Sequence, residues 1–139
     1  MSLVAALVAV LACAACSAPA SQAKGGPGAV VIDERSDGGR VQASKGQLVR
    51  IELPATPGTG FVWVIVANDE KVLAPEGEPT FVSAPAPAGA RPRVGGAELQ
   101  VFSLRAKAPG TSRLELHRKR PFDPKAPPER RFRVTVEVR

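Results

Sequence analysis

The sequence predicts an all-β domain folded as a two-layer sandwich, on three observations. Apolar residues recur with a period of two along several short runs, clusters of Gly and Pro separate those runs, and no stretch carries a helical period. The chain has 139 residues. The sandwich is assigned to residues 29–139, enough for one domain with one hydrophobic core.

Residues 1–17 read as an export leader. The apolar run Leu3 to Ala12 is shorter than the roughly 20 residues needed to cross a bilayer, and it ends in small residues and cysteine. No Lys or Arg precedes it, a departure from the usual pattern that leaves room for a start codon further upstream. Cys13 and Cys16 close the leader, and both Val10-Leu11-Ala12-Cys13 and Cys13-Ala14-Ala15-Cys16 look like a bacterial lipobox. Cys13 has the more usual residue three places upstream. Cys16 gives the more normal signal length and is followed by Ser17, so the two stay open as alternatives beside an ordinary cleaved signal. Residues 18–28 are Ala, Ser, Pro, Gly, Gln and one Lys without periodicity, the composition of a flexible tether. The expected location is the cell envelope, lipid-anchored, or outside the cell.

The strands follow. Val49, Ile51 and Leu53 alternate with Arg50 and Glu52. Phe61, Trp63 and Ile65 share one face of a run through Val66 whose other face is also apolar, the pattern of a central strand. Phe102, Leu104 and Ala106 form a third run, and Leu114 and Leu116 a fourth. Phe132, Val134, Val136 and Val138 alternate with Arg131, Arg133, Thr135 and Glu137 in the clearest strand of all. Asp37-Gly38-Gly39, Pro54 to Gly60, Ala84 to Gly96, Pro109-Gly110 and Pro121 to Pro128 punctuate them. An open sheet leaves one face of Phe61–Val66 bare, so two packed layers fit better.

Composition excludes most chemistry. No cysteine lies in the domain, so it folds without a disulfide and has no thiol for catalysis or soft metals. The single histidine, His117, sits on the polar side of its strand, and no Gly-x-Ser-x-Gly elbow or phosphate loop occurs. One histidine without cysteine cannot build the common zinc sites. Asp69-Glu70 reads as a turn. No cofactor is expected, and a lipoprotein enzyme is disfavoured for want of reactive groups. The formal charge is +6, and Arg105 to Arg139 alone holds eleven Lys and Arg against four acidic residues. That basic third suits an acidic surface or partner. Export and a supply of only six aromatics argue against nucleic acid.

Three segments exceed what strand punctuation needs. Thr56-Pro57-Gly58-Thr59-Gly60-Phe61 leads into the Trp63 strand, Val94-Gly95-Gly96-Ala97 precedes the Phe102 strand, and Arg120-Pro121-Phe122 lies between the last two strands. Together they resemble the chagasin family of papain-like cysteine protease inhibitors. That family has an Asn-Pro-Thr-Thr-Gly-Phe/Tyr loop, a Gly-x-Gly-Gly loop and an Arg-Pro-Trp loop in this order. Thr56, Gly58, Arg93 and Phe122 depart from the pattern, standing for Asn, Thr, Gly and Trp. The resemblance implies an immunoglobulin-like antiparallel sandwich and a monomeric, reversible, competitive inhibitor. Its partner is a papain-like cysteine protease, whose cleft receives Thr56, Pro57, Gly58, Thr59, Gly60, Phe61, Gly95, Gly96, Arg120, Pro121 and Phe122 as a three-loop wedge. A blocker of a thiolate–histidine site must come close without presenting a cleavable peptide. Glycine backbone allows that approach, proline cuts the entropy lost on binding, and an aromatic supplies apolar area. The alternative is a non-inhibitory cell-surface adaptor that binds an envelope protein or glycan.

Mass spectrometry of the native N-terminus is expected to show a diacylglyceryl-modified cysteine. An unmodified terminus at Ala18 or beyond contradicts the anchor.

Overall fold

The computed structural model describes residues 28–86, 88–91 and 97–139. Nine strands form two sheets: β1 (Ala29–Ile32), β2 (Arg40–Ala43), β3 (Leu48–Ala55), β4 (Val62–Ala67), β5 (Leu73–Pro75), β6 (Thr80–Ser83), β7 (Glu98–Ala106), β8 (Gly110–Lys119) and β9 (Arg130–Val138). Two single 3₁₀ turns, Glu34–Ser36 and Pro57–Thr59, are the helical elements among the described residues.

One sheet runs β1-β3-β7, with β5 and β6 pairing in succession along the far edge of β7. The other runs β2-β9-β8-β4. The alternating residues read from the sequence fill the space between them. Val49, Ile51, Leu53, Phe102, Leu104, Leu114, Leu116, Phe132, Val134, Val136 and Val138 are all buried. β9 lies between β2 and β8, so its four apolar residues complete the second layer.

The sheets are mixed rather than purely antiparallel. β1 pairs β3 in parallel, and β2 pairs β9 in parallel. A parallel pair needs a crossover. Here the chain leaves β1, lays β2 on the opposite sheet and returns as β3. Asp37 fixes the crossing: its Oδ1 accepts from Arg133 N at 2.9 Å, and Gly38 N donates to Arg133 O at 2.6 Å.

β4 is an edge strand, not the central strand its two apolar faces suggest. Trp63 is buried and Ile65 half-buried, while Val62 and Val64 on the outer face are half-covered. A register shift between Ile65 and Ala67 leaves Val66 45% exposed. The open edge of β4 is closed at one point by a side chain. Gln100, from β7 in the other sheet, accepts from Trp63 N at 2.7 Å and donates to Trp63 O at 2.9 Å. This buried amide replaces one rung of a missing neighbour strand and ties the two layers together. Each such bond is worth about 1 kcal/mol net, and an unpaired buried group costs about 1–3 kcal/mol.

Pro54 lies within β3, not at the start of the loop. It stands beyond Ile51, the last residue paired with β1, where a missing N–H does no harm. Asp69 does form a turn, its carbonyl accepting from Val72 and Leu73. The buried Ser112 hydroxyl anchors that turn to β8, accepting from Asp69 N and donating to Asn68 Oδ1 at 2.8 Å.

A chain ended at Arg131 is expected to show no cooperative thermal transition by circular dichroism. Phe132, Val134, Val136 and Val138 each contribute about 1.5–3 kcal/mol of burial, against a net domain stability of about 5–15 kcal/mol.

Candidate functional site: two loops in contact at one end of the sandwich

Strand register gathers the three connections at one end. Ala55 closes β3 opposite Glu98, the first residue of β7, and Ser83 closes β6 opposite the same Glu98. In the second sheet Val62 opens β4 opposite Lys119, and Arg130 opens β9 opposite Arg118. The 56–61, 84–97 and 120–129 connections therefore leave from one pole. Gly95 and Gly96 lie outside the described residues, as does Arg93. The flanks of their connection are joined by a bond from Ala84 N to Ala97 O at 2.9 Å.

The first connection is a closed turn. Pro57 opens a 3₁₀ turn in which Thr59 N donates to Thr56 O and Gly60 N to Pro57 O. Thr56 and Phe61 then meet as an isolated antiparallel bridge. Gly60 takes φ +81°, a left-handed conformation that glycine adopts at little cost. Gly58 is not in that region. A Cβ at Gly58 meets nothing within 4 Å. Its smallness therefore serves nothing within the described part of the molecule.

The hydroxyls of this loop are spent internally. Arg118 Nη2 donates to Thr56 Oγ1 at 2.5 Å, Thr56 and Thr59 exchange a bond at 3.1 Å, and Thr59 Oγ1 donates to Thr56 O at 2.7 Å. Below the turn, the Trp63 indole N–H donates to Pro54 O at 2.9 Å, drawing the two strand ends together.

The third connection packs on the first. A Cβ built on Gly60 would stand 2.9 Å from Phe122 Cε1. The Phe122 ring thus lies against the bare Cα of Gly60, with 74% of the residue still exposed. Arg120 is not simply solvated, since its guanidinium stands 4.3 Å from the Phe61 ring centre. Pro121 is exposed between the two, and a bond from Asp123 N to Arg120 O turns the chain. Thr56, Pro57, Gly58, Thr59, Gly60, Phe61, Arg120, Pro121 and Phe122 therefore occupy one edge. An exposed aromatic and a ring-stacked cation stand beside a rigid turn whose tip is Gly58.

Sequence reading passed over Arg118 and Gln100. Arg118 occupies the next inward-facing position after Leu114 and Leu116, where the period predicts an apolar residue. That break in the pattern was the available signal. Its side chain is 15% exposed and reaches Glu129 as well, Nε standing 3.3 Å from Glu129 Oε2. Gln100 gives no such signal, because a polar residue in a strand usually faces water.

His117 lies on the outer face of β8, with Nε2 2.7 Å from Glu115 Oε1. Bonds from His117 and Arg133 hold the Glu115 carboxyl below its ordinary value. Arg105 does the same to Glu76 near the opposite pole. Neither pair belongs to the loop edge. Among the described residues no three His, Cys, Asp or Glu side chains converge as metal ligands.

The β-sandwich thus presents a stiffened loop edge at one pole. The chagasin family peptidase inhibitor I42 model matches residues 42–136, from β2 into β9. The chain belongs to the chagasin family. Among solved structures, the cysteine protease inhibitor EhICP2 from Entamoeba histolytica aligns with a TM-score of 0.65 at 21% identity, covering 80% of this chain and 95% of that one. Amebosin aligns with a TM-score of 0.60 at 22% identity, covering 82% of this chain and all of the other. These likenesses establish the immunoglobulin-like fold. A search of curated proteins finds no match.

Proposed function

We propose that this protein is a reversible, competitive inhibitor of papain-like cysteine proteases, and that the edge built from Thr56–Phe61 and Arg120–Phe122 enters the active-site cleft. The connection carrying Gly95 and Gly96 is assigned the flanking contact. The observation that carries the reading is the packing of Phe122 on Gly60. Two connections far apart in sequence form one narrow, pre-formed edge, so little loop entropy is lost when it is bound. Membership of an inhibitor family supports the target class.

The geometry supports a role for each residue. Gly58 offers a tip without a side chain, suited to passing close to a thiolate. Phe122 offers an exposed ring for an apolar wall, held from behind by Gly60. Arg120, stacked on Phe61, presents a fixed cation to an acidic or aromatic group on the rim.

Export and anchoring through Cys13 or Cys16 belong to the same proposal. Ala29 pairs with Leu48, the first residue of β3, so the tether joins the sandwich at the pole opposite the loops. A protein held from that pole keeps its inhibitory edge free.

The purified domain is expected to inhibit papain in steady-state assays with substrate-competitive kinetics. Gly58→Val is expected to leave the thermal midpoint unchanged and to weaken inhibition, since the added side chain meets only the enzyme. Phe122→Ala is expected to weaken it about 30-fold, the equivalent of about 2 kcal/mol. His117→Ala is expected to inhibit like the parent. Unchanged inhibition by both folded loop variants contradicts the assignment of the edge.

A further inference from the structure

The inhibitor reading leaves one group unexplained: a half-buried guanidinium on the inward-facing side of β8, at the base of the loops. We propose that Arg118 is a positioning residue, a half-buried strut that holds the 56–61 and 120–129 connections together as one edge before any enzyme arrives. This rests on the inhibitor reading for its purpose, but not for its structural content.

The period of β8 assigns position 118 to the core side, and its cross-strand neighbours are the buried Trp63 of β4 and the exposed Arg130 of β9. A cation there is expensive. Its ion-pair partner Glu129 is 47% exposed, and a pair with one solvated member contributes little to stability. Packing alone therefore does not call for arginine at this position.

Its contacts do. Nη2 donates to Thr56 Oγ1 at 2.5 Å, which starts the hydroxyl chain through Thr59 back to the Thr56 carbonyl. On its other side Nε faces Glu129 Oε2 at 3.3 Å in an ion pair not aligned as a hydrogen bond, and no other group serves that nitrogen. Glu129 N returns a bond to the Arg118 carbonyl at 2.9 Å, closing the base of the longer connection. The Phe61 ring centre lies 5.8 Å from the same guanidinium. One planar fork thus reaches both connections, which the single ammonium of lysine cannot do with the same geometry. With 15% of its side chain exposed, Arg118 acts through the loops and not as an enzyme contact.

A strut of this kind acts on the fraction of molecules whose loops are already gathered. Losing it lowers the apparent affinity by that fraction. The seated complex, in which Arg118 touches no enzyme atom, is left unchanged.

The test uses Arg118→Met, which keeps the apolar stem. Its thermal midpoint is expected to equal or exceed that of the parent. In stopped-flow measurements with papain the association rate is expected to fall about tenfold, with the dissociation rate unchanged. A faster dissociation rate with unaltered association makes Arg118 a contact, and a fallen midpoint with both rates intact makes it purely structural. Either result overturns the proposal. A second arm needs no protease: amide exchange by NMR in the free domain. The amides of Thr59, Gly60 and Glu129 are expected to exchange about tenfold faster in the variant, while Ile51 and Leu104 stay as protected as in the parent. Unchanged exchange at those three loop amides refutes the strut whether or not the parent inhibits papain. A parent that fails to inhibit while the loop amides respond refutes the inhibitor reading alone. If Arg118→Met does not fold, Thr56→Val removes the acceptor instead, and unaltered exchange at Thr59 and Gly60 then overturns the proposal.

Discussion

The loop pole depends on how Trp63 is held. This residue lies near the start of an edge strand, where backbone groups face outward without a neighbour, yet it is almost fully buried. Gln100 from the opposite sheet satisfies both its N–H and its carbonyl, and the Pro54 carbonyl takes its indole N–H. Burying a tryptophan removes about 150–250 Å² from water. At about 25 cal/mol per Å² that stabilises the fold by about 4–6 kcal/mol. Because Trp63 follows Phe61 by two residues and faces Arg118, its placement also sets where both loops begin. The site inherits its geometry from the core rather than from the loops themselves.

The loops then need few stabilising contacts of their own. Proline, a left-handed glycine and a closed chain of hydroxyl bonds fix the 56–61 turn. The Phe122 ring gains a partner surface because Gly60 has no side chain. Gly60 therefore has two duties, a backbone conformation and a contact surface. A bulky substitution there disturbs the turn and the ring together, whereas Gly58 has neither constraint.

Much of this was legible in the sequence, and the gaps have physical causes. The five strands read from alternation supply most of the core. β1 also buries Val30 and Ile32 but shows no alternation, because Ala29 and Val31 on its other face are apolar too. β6, Thr80–Ser83, is exposed throughout and carries no such imprint. β5 is three residues long, and β2 buries only an alanine. β4 misled because both its faces are apolar, although one is half-covered at a sheet edge. The loop segments were recognisable from Pro, Gly and aromatic residues, but not the contact between Gly60 and Phe122, which lie far apart in the chain. Arg118 was visible as a charge at an inward position and was passed over within a basic run. The parallel pairs at β1 and β2 depend on chain crossing, which no local pattern encodes.

The central claim is that one pole of the sandwich, pre-assembled in the free protein, is the surface that meets a cysteine protease. Amide hydrogen exchange of the domain with and without excess papain tests this most directly, since it maps the contact without altering a residue. The account predicts new protection in residues 56–61 and 120–123, with no change along the outer face of β8 and β9 from Arg113 to His117 and Arg131 to Thr135. Protection on that outer face with the loop edge unchanged would contradict it.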